Sequence, residues 1–596
     1  MGRMRNKTWE RKPRREPGSS ERRTAASGKQ RGAQVIPFSG RRSGRAYGLA
    51  SGDGSYGKPI VGRGRIKVVM VAVAVAGTLL GARAAHLSFT DASRYEAIAE
   101  EAGLTHVSQQ TLVERGDILS ADGRKLATSL KAANIIATPY QVEEPGKTAR
   151  SMHEAIEDEK GPSVSDIESS LRKTDAKGSP GGYSVVATVD PESAARVMEL
   201  GLAGIDTVPA ADRAYPDGAV ASQLIGHLGD YGKPYGGVEA RYDGTLSAGD
   251  DVRLTIDAAV QQKLESSLSK AMDEYDAKSA MGVVMRVDDG AVVALANSPG
   301  YDNAEYTATD TELQRDRVLT DPYEPGSTFK PFTFAAALEE DALSKSDPFT
   351  VPDEILVADR VIHDSEPHAT ETMYPEDILQ KSSNVGTIQI AQELGGQTLD
   401  RYIRGFGFGE KTGVDLWGEN AGTTPRYEDW SGSSIGNIPI GQGLTATPLQ
   451  LAAAYATLAN GGLAVAPRVS GGVDPEEGRQ RVISEDTSAI VRGMLQSVVE
   501  QGTGRYAQIP GYNVAGKTGT SQKVDPETGV YGEEYVASFV GFAPVSDPEF
   551  VTLIVVDEPQ GSIWGERVAA PAFAEVMDFT LQYFNVPPDR TEEATR

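Results

Sequence analysis

Three short stretches of this 596-residue chain hold residue types that can do covalent chemistry. The first is Tyr323-Glu324-Pro325-Gly326-Ser327-Thr328-Phe329-Lys330-Pro331, followed by the apolar run FTFAAALEE. Pro-Gly marks a loop and the apolar run reads as a helix, so Ser327 stands at a helix N-terminus. Lys330 lies three residues on and shares its face. A serine hydroxyl is a poor nucleophile at neutral pH. A nearby amine can take its proton only if burial or another cation keeps that amine neutral. The free N–H groups of a helix start can meet an anion developing on a substrate. The chemistry suggested is acyl transfer through a serine ester.

The same Ser-x-x-Lys spacing occurs at Ser170/Lys173 and Ser267/Lys270, both in charged amphipathic stretches read as helix surface. The second stretch is Lys381-Ser382-Ser383-Asn384-Val385-Gly386. A hydroxyl and an amide at i, i+2 can relay a proton and hold an amine in place, or simply cap a polar loop. The third is Val514-Ala515-Gly516-Lys517-Thr518-Gly519-Thr520-Ser521. From Gly511 to Thr518 it satisfies the phosphate-loop pattern G-x-x-x-x-G-K-[ST]. That loop needs a helix immediately after it. Gly519, Pro526 and Gly529 follow instead and argue for a strand and a turn, against an NTPase. Lys411-Thr412-Gly413 repeats Lys-Thr-Gly in a loop with no adjoining strand and is read as structural.

Other chemistries are disfavoured. The chain has no cysteine, which removes disulfides, thiolate metal sites and a cysteine nucleophile. Its six histidines form no H-E-x-x-H. His363 and His368 sit among acids in a stretch read as an exposed loop without a metal. Gly52 to Gly57 matches G-x-G-x-x-G but lacks a strand before it and a helix after it.

The elements that position these stretches follow a sharp division of charge. Residues 1–67 carry 18 Lys/Arg against four acids, a net of +14, which leaves −39 for the rest of a chain whose formal charge is −25. Residues 1–65 are rich in Arg, Gly and Ser without apolar periodicity and read as a disordered basic tail, with no folded nucleic-acid reader behind it. Residues 66–87 contain the uncharged run VVMVAVAVAGTLLGA and read as a single transmembrane anchor. The basic flank puts the N-terminus in the cytoplasm and the body outside. A signal peptide cleaved at Ala82-Arg83-Ala84 is the rival.

Residues 88–250 read as a non-catalytic α+β module. It has a helix over 88–110, a strand–turn–strand around Asp122-Gly123, and amphipathic stretches between 140 and 200. Residues 251–587 begin with a strand, a long helix and a hairpin about Asp288-Asp289-Gly290. A helix-rich stretch over 325–510 follows, then two strands over 535–545 and 550–559 and a closing helix. This order fits an antiparallel sheet with helices on both faces. Residues 588–596 read as a charged tail.

Taken together and in order, Ser327-x-x-Lys330, Ser382-x-Asn384 and Lys517-Thr518-Gly519 resemble the motifs of the penicillin-binding acyl-serine transferases. Arg115-Gly116-Asp117-Ile118, Leu254-Thr255-Ile256-Asp257 with Gln261, and the run over 440–462 extend the likeness to class B penicillin-binding proteins from about residue 66 to 585. The basic tail is similar to that of division-type members from high-GC Gram-positive bacteria. The resemblance implies a membrane-anchored peptidoglycan D,D-transpeptidase with a pedestal or dimerisation-like module over 88–250.

Carried onto this chain, the resemblance makes Ser327 the nucleophile on the penultimate D-Ala carbonyl and Lys330 its base. Ser382 relays the proton, Asn384 positions Lys330 and the stem amide, and Lys517 keeps the site cationic. Thr518, Gly519 and Thr520 bind the substrate, and β-lactams acylate Ser327. No cofactor or metal is implied. A polytopic SEDS-family glycan polymerase and other division proteins are the implied partners. A D,D-carboxypeptidase or β-lactamase-type hydrolase, and a non-catalytic scaffold of a wall-synthesis complex, are the alternatives.

Overall fold

The computed structural model describes residues 114–157, 161–174, 183–229, 232–472, 479–525 and 528–590. The basic tail, the apolar run over 66–87 and the helix expected over 88–110 lie outside them. No helix of the described residues is long and apolar enough to cross a membrane.

The first module grows from the Asp122-Gly123 turn. Ile118–Leu119 (β1) folds back antiparallel on Lys125–Ala137 (β2). β2 also pairs with Ser184–Val189 (β3) and Ile205–Ala214 (β4). Helices Pro145–Ile156 (α1), Val164–Leu171 (α2) and Pro191–Glu199 (α3) pack on this sheet around Ile135, Met152, Ile167 and Val197. Val252–Arg253 (β5), at the start of the stretch read as the second module, pairs parallel to β1. The arginine of the Arg115-Gly116 motif has a structural task. Its Nε and that of Arg213 donate to the two carboxylate oxygens of Glu239 at 2.8 and 2.7 Å. Glu239 is fully buried, and a charge there is tolerable only when paired this completely.

In the second module Asp257 caps Ala258–Glu274 (α4) by accepting the N–H groups of Ala259 and Val260. The hairpin about Gly290 joins Ser279–Arg286 (β6) to Val292–Ser298 (β7). Gln261 braces it, donating to the Leu295 carbonyl and accepting from the Leu295 N–H, both at 2.8 Å. Then come Lys330–Glu339 (α5), Asn384–Leu394 (α6), Pro448–Ala459 (α7) and Glu485–Glu500 (α8). Ala515–Val524 (β8), Tyr531–Ala543 (β9) and Phe550–Asp557 (β10) complete an antiparallel sheet in the order β8-β9-β10-β6-β7, and Ala570–Tyr583 (α9) closes the module. Alternation along β6 sorts the two faces. Met281, Val283 and Met285 join the core of Phe329, Phe332 and Tyr455, whereas Ala280 and Val284 meet Leu264 of α4 and Phe573 of α9.

The structure differs from the sequence reading in three places. The stretch read as helix-rich also holds short strands, which flank the mostly exposed loop over 364–370 that carries His368. Glu354–Val357 pairs with Arg360–His363, and Phe349–Val351 pairs with Glu371–Met373. Strands of three or four residues are too short for periodicity to reveal. The charged tail does not begin at 588, because Asp589 accepts the Asn513 N–H at 2.7 Å and the Arg590 N–H donates to Gly511. Ser267 is not on the surface. It is 2% exposed on the core side of α4, while Lys270 reaches outward to Glu575.

Candidate active site

Ser327 sits in a 3₁₀ turn, Gly326–Phe329, that runs directly into α5. In a 3₁₀ turn residues i and i+3 eclipse, which aligns Ser327 with Lys330 more closely than an α-helix would. The turn is anchored from below. Phe329 packs at 5.0 Å from Phe408, Phe332 packs edge-on to Tyr455, and the Tyr455 hydroxyl donates to the Thr328 carbonyl at 2.8 Å. Ser327 itself is only partly buried. Among the described residues its hydroxyl makes no hydrogen bond.

Lys330 has no exposed surface. Its Nζ donates to the Ser382 carbonyl at 2.5 Å and to Asn384 Oδ1 at 2.8 Å, and lies 3.2 Å from Ser382 Oγ. Burial disfavours the ammonium and brings its pKa down to about 7, against a smaller opposing effect of the Asp364 charge. Lys517 is equally buried, and burial together with the nearby Lys330 pushes its amine well below the ordinary lysine range. Desolvation is the largest cause at both amines.

The second motif is presented by a strained turn and a capped helix. Ser382 has φ of 59°, a left-handed conformation unusual for a residue with a side chain. Ser383 is the N-cap of α6, accepting the Gly386 N–H at 2.9 Å. Asp364 completes the cap. Its carboxylate accepts the N–H groups of Asn384 and Val385 and the Ser383 hydroxyl, while His368 Nε2 approaches it at 2.9 Å. Asp364 thus belongs to the site although no spacing in the sequence ties it to residues 383–385. The hydrogen bond to Asp364 raises the pKa of the His368 imidazole, and no cluster of metal-ligating side chains occurs among the described residues.

The third motif lies on β8, an edge strand followed by a turn and β9, which removes the phosphate-loop reading. Gly519 allows β8 to approach the turn that carries Ser327. A Cβ there would lie 2.4 Å from Ser538 Oγ and 3.1 Å from the Pro325 carbonyl. Lys517 Nζ reaches the carbonyl and the hydroxyl of Thr518, each at 3.3 Å. Thr520 Oγ1 accepts the Gly565 N–H at 3.2 Å, which leaves its own hydrogen available. A further tie crosses the cleft through Glu324, which the sequence reading did not single out. It accepts the Gly443 N–H at 2.9 Å and the Tyr531 hydroxyl at 3.0 Å, and burial raises its pKa.

The structure therefore gathers Lys330, Ser382, Asn384, Lys517 and Thr518 about the turn that carries Ser327. Lys411-Thr412-Gly413 stays apart in a loop, with the Thr412 N–H donating to Glu419 at 2.6 Å. An aligned hydroxyl and amine, a second hydroxyl on that amine and a buried lysine on an edge strand suit acyl transfer through a serine ester.

Comparison with known proteins gives the same picture. Residues 280–578 match the penicillin binding protein transpeptidase domain, and residues 110–283 match the penicillin-binding protein dimerisation domain. The chain is 32% identical over 515 residues to peptidoglycan D,D-transpeptidase FtsI of Escherichia coli K12, covering 81% of this chain and 85% of that protein. It is 30% identical over 577 residues to stage V sporulation protein D of Bacillus subtilis, covering 89% and 87%. Among solved structures, penicillin-binding protein 3 of Mycobacterium tuberculosis complexed with aztreonam superposes with a TM-score of 0.63 at 27% identity, covering 80% of this chain and 98% of that one.

Proposed function

Since this chain belongs to the class B penicillin-binding proteins, we propose that Ser327 is the nucleophile of its transpeptidase reaction and that Lys330 is the base. The enzyme is a serine-type peptidoglycan D,D-transpeptidase that β-lactams acylate. The observation that carries the assignment is the Lys330 amine, stripped of solvent and held between Ser382 and Asn384.

A neutral Lys330 amine takes the Ser327 proton as Oγ attacks the penultimate D-Ala carbonyl. Backbone N–H groups of Ser327 and Thr520 receive the developing oxyanion, worth about 3 kcal/mol per donor. The bond to the terminal D-Ala breaks as Ser382 passes the proton to the leaving amine. The amine of a second stem peptide then attacks the ester and frees Ser327. Asn384 orients Lys330 and the stem amide. Thr518, Gly519 and Thr520 line the place of the terminal carboxylate.

Residues 251–587 form the catalytic unit on this reading and residues 88–250 its pedestal. The apolar run over 66–87 anchors the chain by a single pass with the N-terminus in the cytoplasm. The positive flank supports that orientation. The anchor and pedestal bind a SEDS-family glycan polymerase and division proteins, which places the enzyme in septal wall synthesis.

Peptide mapping of a penicillin adduct tests the core of this assignment. The adduct should fall on the peptide carrying Ser327 and vanish in Ser327→Ala. An adduct on any other serine sinks it.

A further inference from the structure

We infer that Glu324 reads the donor stem peptide, by holding a cationic side chain on the residue that precedes its two D-alanines. The inference rests on the reading of Ser327 as the acylated nucleophile.

Glu324 stands three residues before Ser327 on a backbone that is fixed on both sides. Tyr323 exchanges both backbone hydrogen bonds with Ala446 at 3.0 Å, and the Gly326 N–H donates to the Gly441 carbonyl at 3.0 Å. One carboxylate oxygen of Glu324 accepts the Gly443 N–H and the other accepts the Tyr531 hydroxyl. Among the described residues no lysine, arginine or histidine pairs with it. Buried Glu239, in contrast, is met by two arginines. A partly buried carboxylate held by two neutral donors has lost water without gaining a counter-charge. Each of its oxygens can still accept a further hydrogen bond. An ammonium group arriving from solvent supplies both the charge and the donors.

The place of Glu324 along β8 says which part of a substrate brings that ammonium. β8 is an edge strand, so an extended peptide can add to it. Thr518 lies toward one end. In the middle, Gly326 of the turn that carries Ser327 faces Ser521 with no room for a Cβ. At the other end Val524 pairs with Tyr531, whose hydroxyl holds Glu324. A stem peptide with its terminal carboxylate beside Thr518 and its scissile carbonyl at Ser327 thus runs antiparallel to β8, and its upstream residues head toward Glu324. An alanine methyl is too short to reach a carboxylate there. A strand advances about 3.3 Å per residue, so the residue before the two D-alanines is the first whose long side chain can. Tyr531 is 41% exposed, which leaves this end of the cleft open to such a side chain.

The test uses the full-length chain in detergent and two lysyl-D-alanyl thioesters that end in a carboxylate. One has a free ε-amine, and in the other that amine is acetylated. The unsubstituted chain should favour the free amine about tenfold in kcat/KM, chiefly through KM. Glu324→Gln keeps the shape of the side chain and removes its charge. It should erase the preference by slowing the free-amine substrate, and leave the acetylated one within about twofold. An absent preference in the unsubstituted chain overturns the inference without any variant. An equal loss on both substrates in Glu324→Gln would make Glu324 only a tie between the Gly443 loop and Tyr531, and a preference that survives the substitution would place the cation elsewhere. Both outcomes overturn it as well. Penicillin labelling of Ser327 in the unsubstituted chain is run alongside. If that labelling fails, the reading of the nucleophile fails with it. If it succeeds and the two thioesters do not separate, the Glu324 assignment alone is lost.

Discussion

The carboxylate of Asp364 accepts the backbone N–H of Asn384 at 2.5 Å, so a side chain from a β-hairpin caps the helix that presents the second motif. The same carboxylate takes the Val385 N–H and the Ser383 hydroxyl. The loop carrying Ser382 in a left-handed conformation is thus held from outside its own sequence, and Lys330 is held by that loop in turn.

Asp364→Ala should therefore weaken catalysis more than folding. A lost helix cap costs about 1–2 kcal/mol, a modest drop in melting temperature. Penicillin acylation should slow by about a hundredfold, because the Ser382 carbonyl and Asn384 Oδ1 no longer converge on Lys330. Stopped-flow acylation alongside thermal melting separates the two effects. Acylation at the unsubstituted rate would show that the cap does not position the loop.

Acylation should rise with pH through about 7 and level off above 8, following release of the Lys330 proton. Asp364 favours the ammonium, so Asp364→Asn should shift this limb to lower pH. Stability has a matching sign. Lys330 keeps its proton to about 10.5 when unfolded and loses it near 7 when folded. Between those values the unfolded chain binds more protons, so the Lys330 contribution to stability rises with pH across that window. Lys330→Met should abolish acylation and flatten that part of the melting profile. A pH-independent acylation rate between 6 and 8 contradicts the assignment of the base.

Gly519→Ala places a methyl group against Ser538 Oγ and the Pro325 carbonyl. Relieving the overlap costs about 1–3 kcal/mol, and the strand must move away from the nucleophile turn to do so. The variant should fold, by circular dichroism, and take up labelled penicillin at a small fraction of the normal rate. Unchanged uptake would mean that the strand need not lie so close.

Glu239→Ala leaves Arg115 and Arg213 facing a buried gap. Removing one partner of a buried ion pair costs about 3–5 kcal/mol, so the melting temperature should fall by several degrees. Penicillin labelling of the fraction that remains folded should be normal, because the network has no contact with Ser327. Intact stability would assign the Arg115-Gly116 motif a role other than folding.

Much of the site is legible in the order of the residues alone. Ser327 and Lys330 are tied by three residues of local backbone, and the Pro-Gly lead-in announces their turn. Gly519 and Pro526 after Lys517 are enough to reject the phosphate loop, because they forbid the helix it needs. The long strands β6, β7, β9 and β10 can be read from their apolar runs, and α4 and α9 from their helical spacing. The paired strands over 349–373 cannot, since elements of three or four residues carry no period. Asp364 and Glu324 are equally silent. Their partners lie 20 and 119 residues away, and nothing in local spacing links them.

The sequence by itself determined which groups are available and their local order, because helix faces, turns and strand alternation depend on near neighbours. Only the tertiary structure decided their chemical state. The Lys330 amine has a lowered pKa because it is buried, with the Ser382 loop against it. Glu324 is held by neutral donors because a backbone N–H and a tyrosine hydroxyl are folded against it. Desolvation and hydrogen-bond allocation depend on what lies within a few ångströms in space, and folding, not spacing along the chain, sets that neighbourhood.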